Sequence, residues 1–381
     1  MCLADPEKRS NKSQNQNQSL SSPPTNHGGT SKLVNMAESQ HSNSQSQSQS
    51  LTSNPKRLSR RSHSFTEAST HFFTGTLLSV FFFVFAAYFP FVLAPDAATA
   101  TYHIASFDYD KDLSFFDNSA WTWATDYGLA IAMFLIICSF PATTVQTQTS
   151  SNGTVQKNTR TIAHVMVRRS QCMLACYMIS VTAGGLAHQF YTTLETRGTW
   201  SFRLLWTICV GTVTAAPAFM GSIATELNHI DWETESSSSV HSTRPIVPPS
   251  IPAWVWAAYA TCSTAIVAWG GMSYQRPACD IFVAGVTQTP STFYVMIVLG
   301  YGLLRHPIST WTRAWGAVGF ILNAPLLPMY PLLVQYTDWS LGAVNTLLHT
   351  WLLVAWSSQG LSLRQVAMAL HKFDEKAQKT S

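Results

Sequence analysis

Polar and apolar positions in this chain fall into long blocks, not into a fine alternation. From residue 72 onward, stretches of about 20 residues carry almost no ionisable side chain, and short polar segments separate them. A run of that length crosses a bilayer as a helix, because the hydrocarbon core is about 30 Å thick and a helix rises about 1.5 Å per residue. Eight blocks fit, at 72–94, 121–141, 168–190, 203–225, 253–274, 280–304, 313–335 and 341–361. The pattern predicts an all-α fold, a multi-pass transmembrane helix bundle. Seven spans form a core over 121–361, and a first span with an acidic outer loop occupies 71–120. Pro217, Pro290, Pro325, Pro328 and Pro331 fall inside blocks, which spanning helices tolerate by kinking.

The flanks differ in kind. Residues 1–70 are rich in Ser, Gln and Asn, with nothing to build a core, so they read as a disordered tail. That tail ends in KRLSRRSHSF, a basic cluster just before the first block. It reads as a patch that sets orientation. Its sharper alternative is a regulatory site, where phosphate on Ser59, Ser62 or Ser64 would cancel positive charge beside an anionic leaflet. Residues 362–381 read as a basic tail with Arg364, Lys372, Lys376 and Lys379.

Composition agrees with a membrane partner. Only 11% of the 381 residues are charged, where a soluble domain carries about 25%. Mean hydropathy is held down to +0.07 by the polar tail. A net charge of +4 comes with no nucleic-acid motif, so the basic residues matter for orientation instead. Those before the first block, at 157–169 and after the last block share one side, which predicts both termini in the cytoplasm. Seven cysteines give no disulfide framework. Cys172 and Cys176, four apart on one helix face, read as packing residues and not as a C-x-x-C site.

Candidate chemistry lies in the few polar groups inside the blocks. Asp108, Asp110 and Asp112 alternate as a calcium loop does, but without its Gly and terminal Glu, so they read as a solvated loop. His229, Asp231, Glu233 and His241 lack the fixed spacing of a metal site. Asp126, His188 and His349 are different. Counted at 1.5 Å per residue, they lie about 8, 5 and 12 Å inside the outer ends of three separate blocks. Asn345 precedes His349 by four residues and shares its helix face. Four polar groups from three helices thus meet in one leaflet half. Polar groups there can simply tie helices together, as Gly184 and Gly185 can simply pack; on one level, they also make a pocket.

These residues carry a resemblance. T-D-Y opening one span, G-G-x-x-H closing the next and N-x-x-x-H in the last resemble a group of seven-span membrane proteins. More distantly, the pattern resembles the alkaline ceramidase and progestin/adiponectin receptor-like membrane hydrolases. The match covers 121–361. In the ceramidase-like members, Ser-x-x-x-His and His-x-x-x-His build a zinc site. His188 and His349 match the second histidine of each motif, while Gly184 and Asn345 stand in place of the first residues. The resemblance therefore implies zinc held by His188, His349 and Asp126. It also implies catalytic roles for Asp126, His188 and His349, with Asn345 orienting substrate. Two function classes stay open. One is an intramembrane lipid hydrolase using metal or activated water; the other is a receptor, transporter or scaffold whose cluster binds a lipid or small-molecule ligand.

Overall fold

The computed structural model describes residues 119–142, 162–228, 248, 250–273, 281–303 and 309–379, together with Phe73 and Leu77. Among them every regular element is a helix: α1 Ala120–Cys138, α2 Ile162–Phe190, α3 Leu194–Arg197, α4 Trp200–Asn228, α5 Ala253–Ser273, α6 Ile281–Leu303, α7 Thr310–Tyr336 and α8 Leu341–Lys379. The expected tail over 1–70, all of the span at 72–94 but Phe73 and Leu77, the aspartate loop and most of the 226–252 loop lie outside the described residues.

Among the described residues three helices, α1, α2 and α4, are long and apolar enough to cross a membrane. Their sequences explain why. α1 opens on Ser119, whose hydroxyl accepts from the backbone N–H of Thr122 and so satisfies one of the free donors at a helix start. Beyond that cap, apolar residues occupy every face, as in a helix with no solvent side. α4 runs unbroken through Pro217, and α6 through Pro290.

Two boundaries differ from those the polar pattern predicts. α2 begins at Ile162, six residues before the predicted block, so Arg168 and Arg169 lie well inside it and not at its start. Arg169 is accommodated because its guanidinium donates to the carbonyl of Ser222 at 2.9 Å and pairs with Glu226 at 3.1 Å. The segment 362–381, expected as a tail, instead continues α8 as far as Lys379. Leu363, Val366, Ala367 and Leu370 are buried at the spacing of one helix face, in the same core cluster as Ala163, Met166 and Val167 of α2.

The long helices close a ring. α2 packs on α1, α4 and α8; α4 on α5 and α6; and α7 between α6 and α8. Leu129, Met133, Tyr177, Met220, Phe320 and Trp356 fill the interior. α5 lies against α4 where Gly221 leaves room for the fully buried indole of Trp256. The ends are distinguished by what sits there. At the His349 end, where α1 and α8 begin, Trp121, Phe190, Trp200, Tyr336 and Trp339 are exposed. At the Arg169 end, Trp254, Trp311 and Trp315 are exposed.

Candidate functional site

Three of the predicted polar residues meet at the His349 end. α1 supplies Asp126, α2 supplies His188 and α8 supplies His349. Asp126 is 3% exposed, inside the bundle. Its Oδ1 lies 3.5 Å from Nε2 of His349. The other ring nitrogen, Nδ1, is 3.0 Å from the Thr125 hydroxyl and 3.3 Å from the Thr122 carbonyl. That hydroxyl itself has carbonyl acceptors at 2.7 and 2.8 Å, from Trp121 and Thr122. Both groups facing Nδ1 therefore call for a donor, which assigns a hydrogen to Nδ1. Nε2 faces the carboxyl at 3.5 Å, a contact that becomes an ion pair when the imidazole is protonated.

His188 closes another wall. Its ring stands edge-on to those of Trp206 and His349, at centroid distances of 6.1 and 6.4 Å. Asn345 is buried one turn nearer the start of α8. The two glycines of α2 divide the work between them. A β-carbon on Gly185 would come within 2.9 Å of the Tyr127 ring, so Gly185 is what lets α1 approach. Tyr127 then donates to Gln189 Oε1 at 2.7 Å, tying the helix ends together. Gly184 does the opposite, leaving space. A β-carbon there would sit 3.6 Å from Asp126 Oδ2 and 3.4 Å from Cys209 Sγ, both ordinary contacts. Asp126 Oδ2 is buried and has no hydrogen-bond partner. The site thus presents one satisfied and one unsatisfied carboxyl oxygen.

A resident zinc would need three protein donors around one point. Asp126 and His349 make two. Among the described residues, no group of three His, Cys, Asp or Glu is placed to hold a metal ion. As arranged, the described residues do not assemble a zinc site. The His229–His241 residues lie outside the described part.

Sequence reasoning passed over Thr125, Tyr127 and Gln189 as functional groups, although the first two belong to the T-D-Y triplet. All three residues of that triplet reach across to another helix: Thr125 and Asp126 to α8, Tyr127 to α2. Of the cysteines, Cys209 is buried beside the site, its Sγ 3.7 Å from the Ser180 hydroxyl. Cys138, Cys172 and Cys262 are exposed on the bundle surface. No protein family model matches the chain, no curated protein matches it, and no solved structure matches it.

Proposed function

We propose that the chain is a multi-pass integral membrane protein with a binding site for a polar ligand, a lipid headgroup or small solute, in the outer-leaflet half of its bundle. Support for several passes comes from the surface. Beyond the three strongly apolar helices, Phe293 and Ile297 of α6, Val318 and Ile321 of α7, and Leu347, Val354 and Leu361 of α8 are all exposed. An exterior of that kind suits hydrocarbon, and the exposed tryptophans at both ends suit the two interfaces. Eight spans with both termini in the cytoplasm, the first over 72–94, complete the reading and put the His349 end outside.

The observation that carries the site is the buried, unpartnered Oδ2 of Asp126 beside the gap left by Gly184. A carboxyl oxygen in hydrocarbon surroundings is costly without a donor. The ligand therefore brings a hydroxyl, amide or amine hydrogen to that oxygen. His349 holds the other oxygen, His188 and Trp206 line the side, and Asn345 lies one turn away. Binding, not hydrolysis, follows most directly from this geometry.

Native mass spectrometry of protein taken from its own membranes tests the reading. Wild type should retain a small molecule that Asp126→Asn and Gly184→Ala lose, with all three proteins equally folded. Identical retained molecules in the three proteins would refute it. A hydrolase using zinc predicts a different result: chelator would lower the melting temperature of wild type and spare His349→Ala.

A further inference from the structure

α1 is the least covered of the three strongly apolar helices. Over its apolar stretch 28% of the residues are buried, against 56% in α2 and 61% in α4. α2 and α8 pack on its inner side, while Ile131, Phe134 and Leu135 stay exposed. Between α1 and α4, along α2, runs an open groove of about 510 Å³. Ile131 and Phe134 stand on its α1 side and Ile208 on its α4 side, with Ile179, Thr182 and Ala183 of α2 between them. Thr182 turns its hydroxyl back to the Met178 carbonyl at 2.7 Å, so it leaves the groove apolar. Small residues between bulky walls let a neighbouring helix approach closely.

The chain contains one apolar block that no described helix accounts for, residues 72–94, 23 residues without a charge. It comes directly before α1 in the order of blocks, and consecutive elements usually lie side by side. Phe73 and Leu77 are the two described residues in it. Both are helical and exposed, and a spacing of four puts them on one face. At about 100° per residue, the opposite face carries Ser79, Phe82 and Ala86. Depth selects among these. A block that crosses the membrane just before α1 runs antiparallel to it. Ile131 and Phe134 lie 11 and 14 residues beyond Ala120, and the same counts back from Ala94 reach Phe83 and Val80. Phe82 is therefore level with the groove, between two small residues on its own face.

We propose that residues 72–94 dock as a helix in the groove between α1 and α4, with the Phe82 ring over Thr182 and Ala183. The occupant is this chain's own first block, and it covers the flank of α1 that α2 and α8 leave open. The proposal rests on the multi-pass reading, and on no property of the Asp126 site.

The test places the photoreactive residue p-benzoylphenylalanine at position 82 of the full-length protein, irradiated in the membrane of the expressing cell. The label joins whatever lies against it, and peptide mapping identifies the partner. Most of it should join the same chain, at Ile179–Ala183 of α2 or near Ile208 of α4. Ile179→Trp fills the groove from its exposed rim and should lower that yield several-fold. The same label at position 77 should take up lipid instead. A carbonate wash separates the failures. Protein that washes off overturns the multi-pass reading and this proposal with it. In retained protein, a label at 82 joined to lipid, to a second copy or to any other helix overturns this proposal alone. So does a groove crosslink that Ile179→Trp leaves at full yield.

Discussion

Replacing Gly221 by alanine tests the helix packing at its tightest apolar contact. The added β-carbon would stand 2.1 Å from Cδ2 of Trp256, 2.4 Å from Cγ and 2.5 Å from Cε2. Carbon atoms in contact need about 3.5 Å or more, so α4 and α5 must part by more than about 1 Å. The indole has nowhere to turn, being fully buried and stacked on Tyr294 with ring centroids 5.5 Å apart. Overpacking of this kind costs about 1–3 kcal/mol, and a clash with a rigid ring belongs at the upper end. Alanine returns about 1 kcal/mol of helix propensity. The net expectation is a loss of about 1–2 kcal/mol. Gly128→Ala is the control, because a β-carbon there meets nothing within 4 Å and only the propensity gain remains. The two variants should differ by about 2–3 kcal/mol in unfolding measured in detergent. A Gly221→Ala protein as stable as Gly128→Ala would refute the packing of α5 on α4.

Asp126→Asn and His349→Ala should each cost roughly 0.6–1.7 kcal/mol, the range of hydrogen bonds inside membranes, and the double variant should cost less than their sum because one contact is lost once; strict additivity in thermal melts would separate the two residues. Gly185→Ala should lower stability more than Gly184→Ala, since the first displaces the Tyr127 ring and the second meets only ordinary contacts; the reverse order of melting temperatures would contradict the assigned roles. Trp356→Phe keeps the stack on Tyr177 and drops the bond to Asn323, with an expected loss of about 1 kcal/mol; an unchanged melt would show that bond to be idle. Asn152, in the sequon Asn152-Gly153-Thr154, should carry no glycan in a eukaryotic host; glycan there would invert the proposed orientation.

The apolar blocks located α1, α5, α6 and α7 to within a few residues, because a long apolar run bounded by polar segments favours one continuous helix. α8 escaped that logic. Ser357, Ser358, Gln359 and Gly360 look like the end of a span, yet the Gln359 amide donates across the bundle to the Gly319 carbonyl, and the apolar face resumes at Leu363. At the site, counting depth along three blocks was enough to bring Asp126 and His349 to one level. Thr125 was opaque, because a helical threonine ordinarily bonds back to its own turn, as this one also does. The buried hydrogen bonds around Gln288 were harder still. Tyr177 and Trp356 read as ordinary aromatic packing, and Gln288 and Asn323 sit on different helices, so only the fold reveals that Gln288 Oε1 accepts from Tyr177 and Asn323 while Asn323 Oδ1 accepts from Trp356.

α8 carries His349 of the Asp126 site and, deeper in the bundle, Trp356, which stacks on Tyr177 and donates to Asn323. His349 and Trp356 are seven residues apart, two turns, on a stretch with neither glycine nor proline, so their side chains leave nearly the same face. Rolling α8 far enough to free the imidazole from Asp126 would drag the indole off Tyr177 and away from Asn323 in the same motion. Farther along the same rod, the Arg364 guanidinium donates to the Ser139 carbonyl at 2.7 Å and would be pulled as well. The three attachments lie in series on one stiff shaft. They resist rotation jointly, and slack introduced at any one of them is felt by the other two.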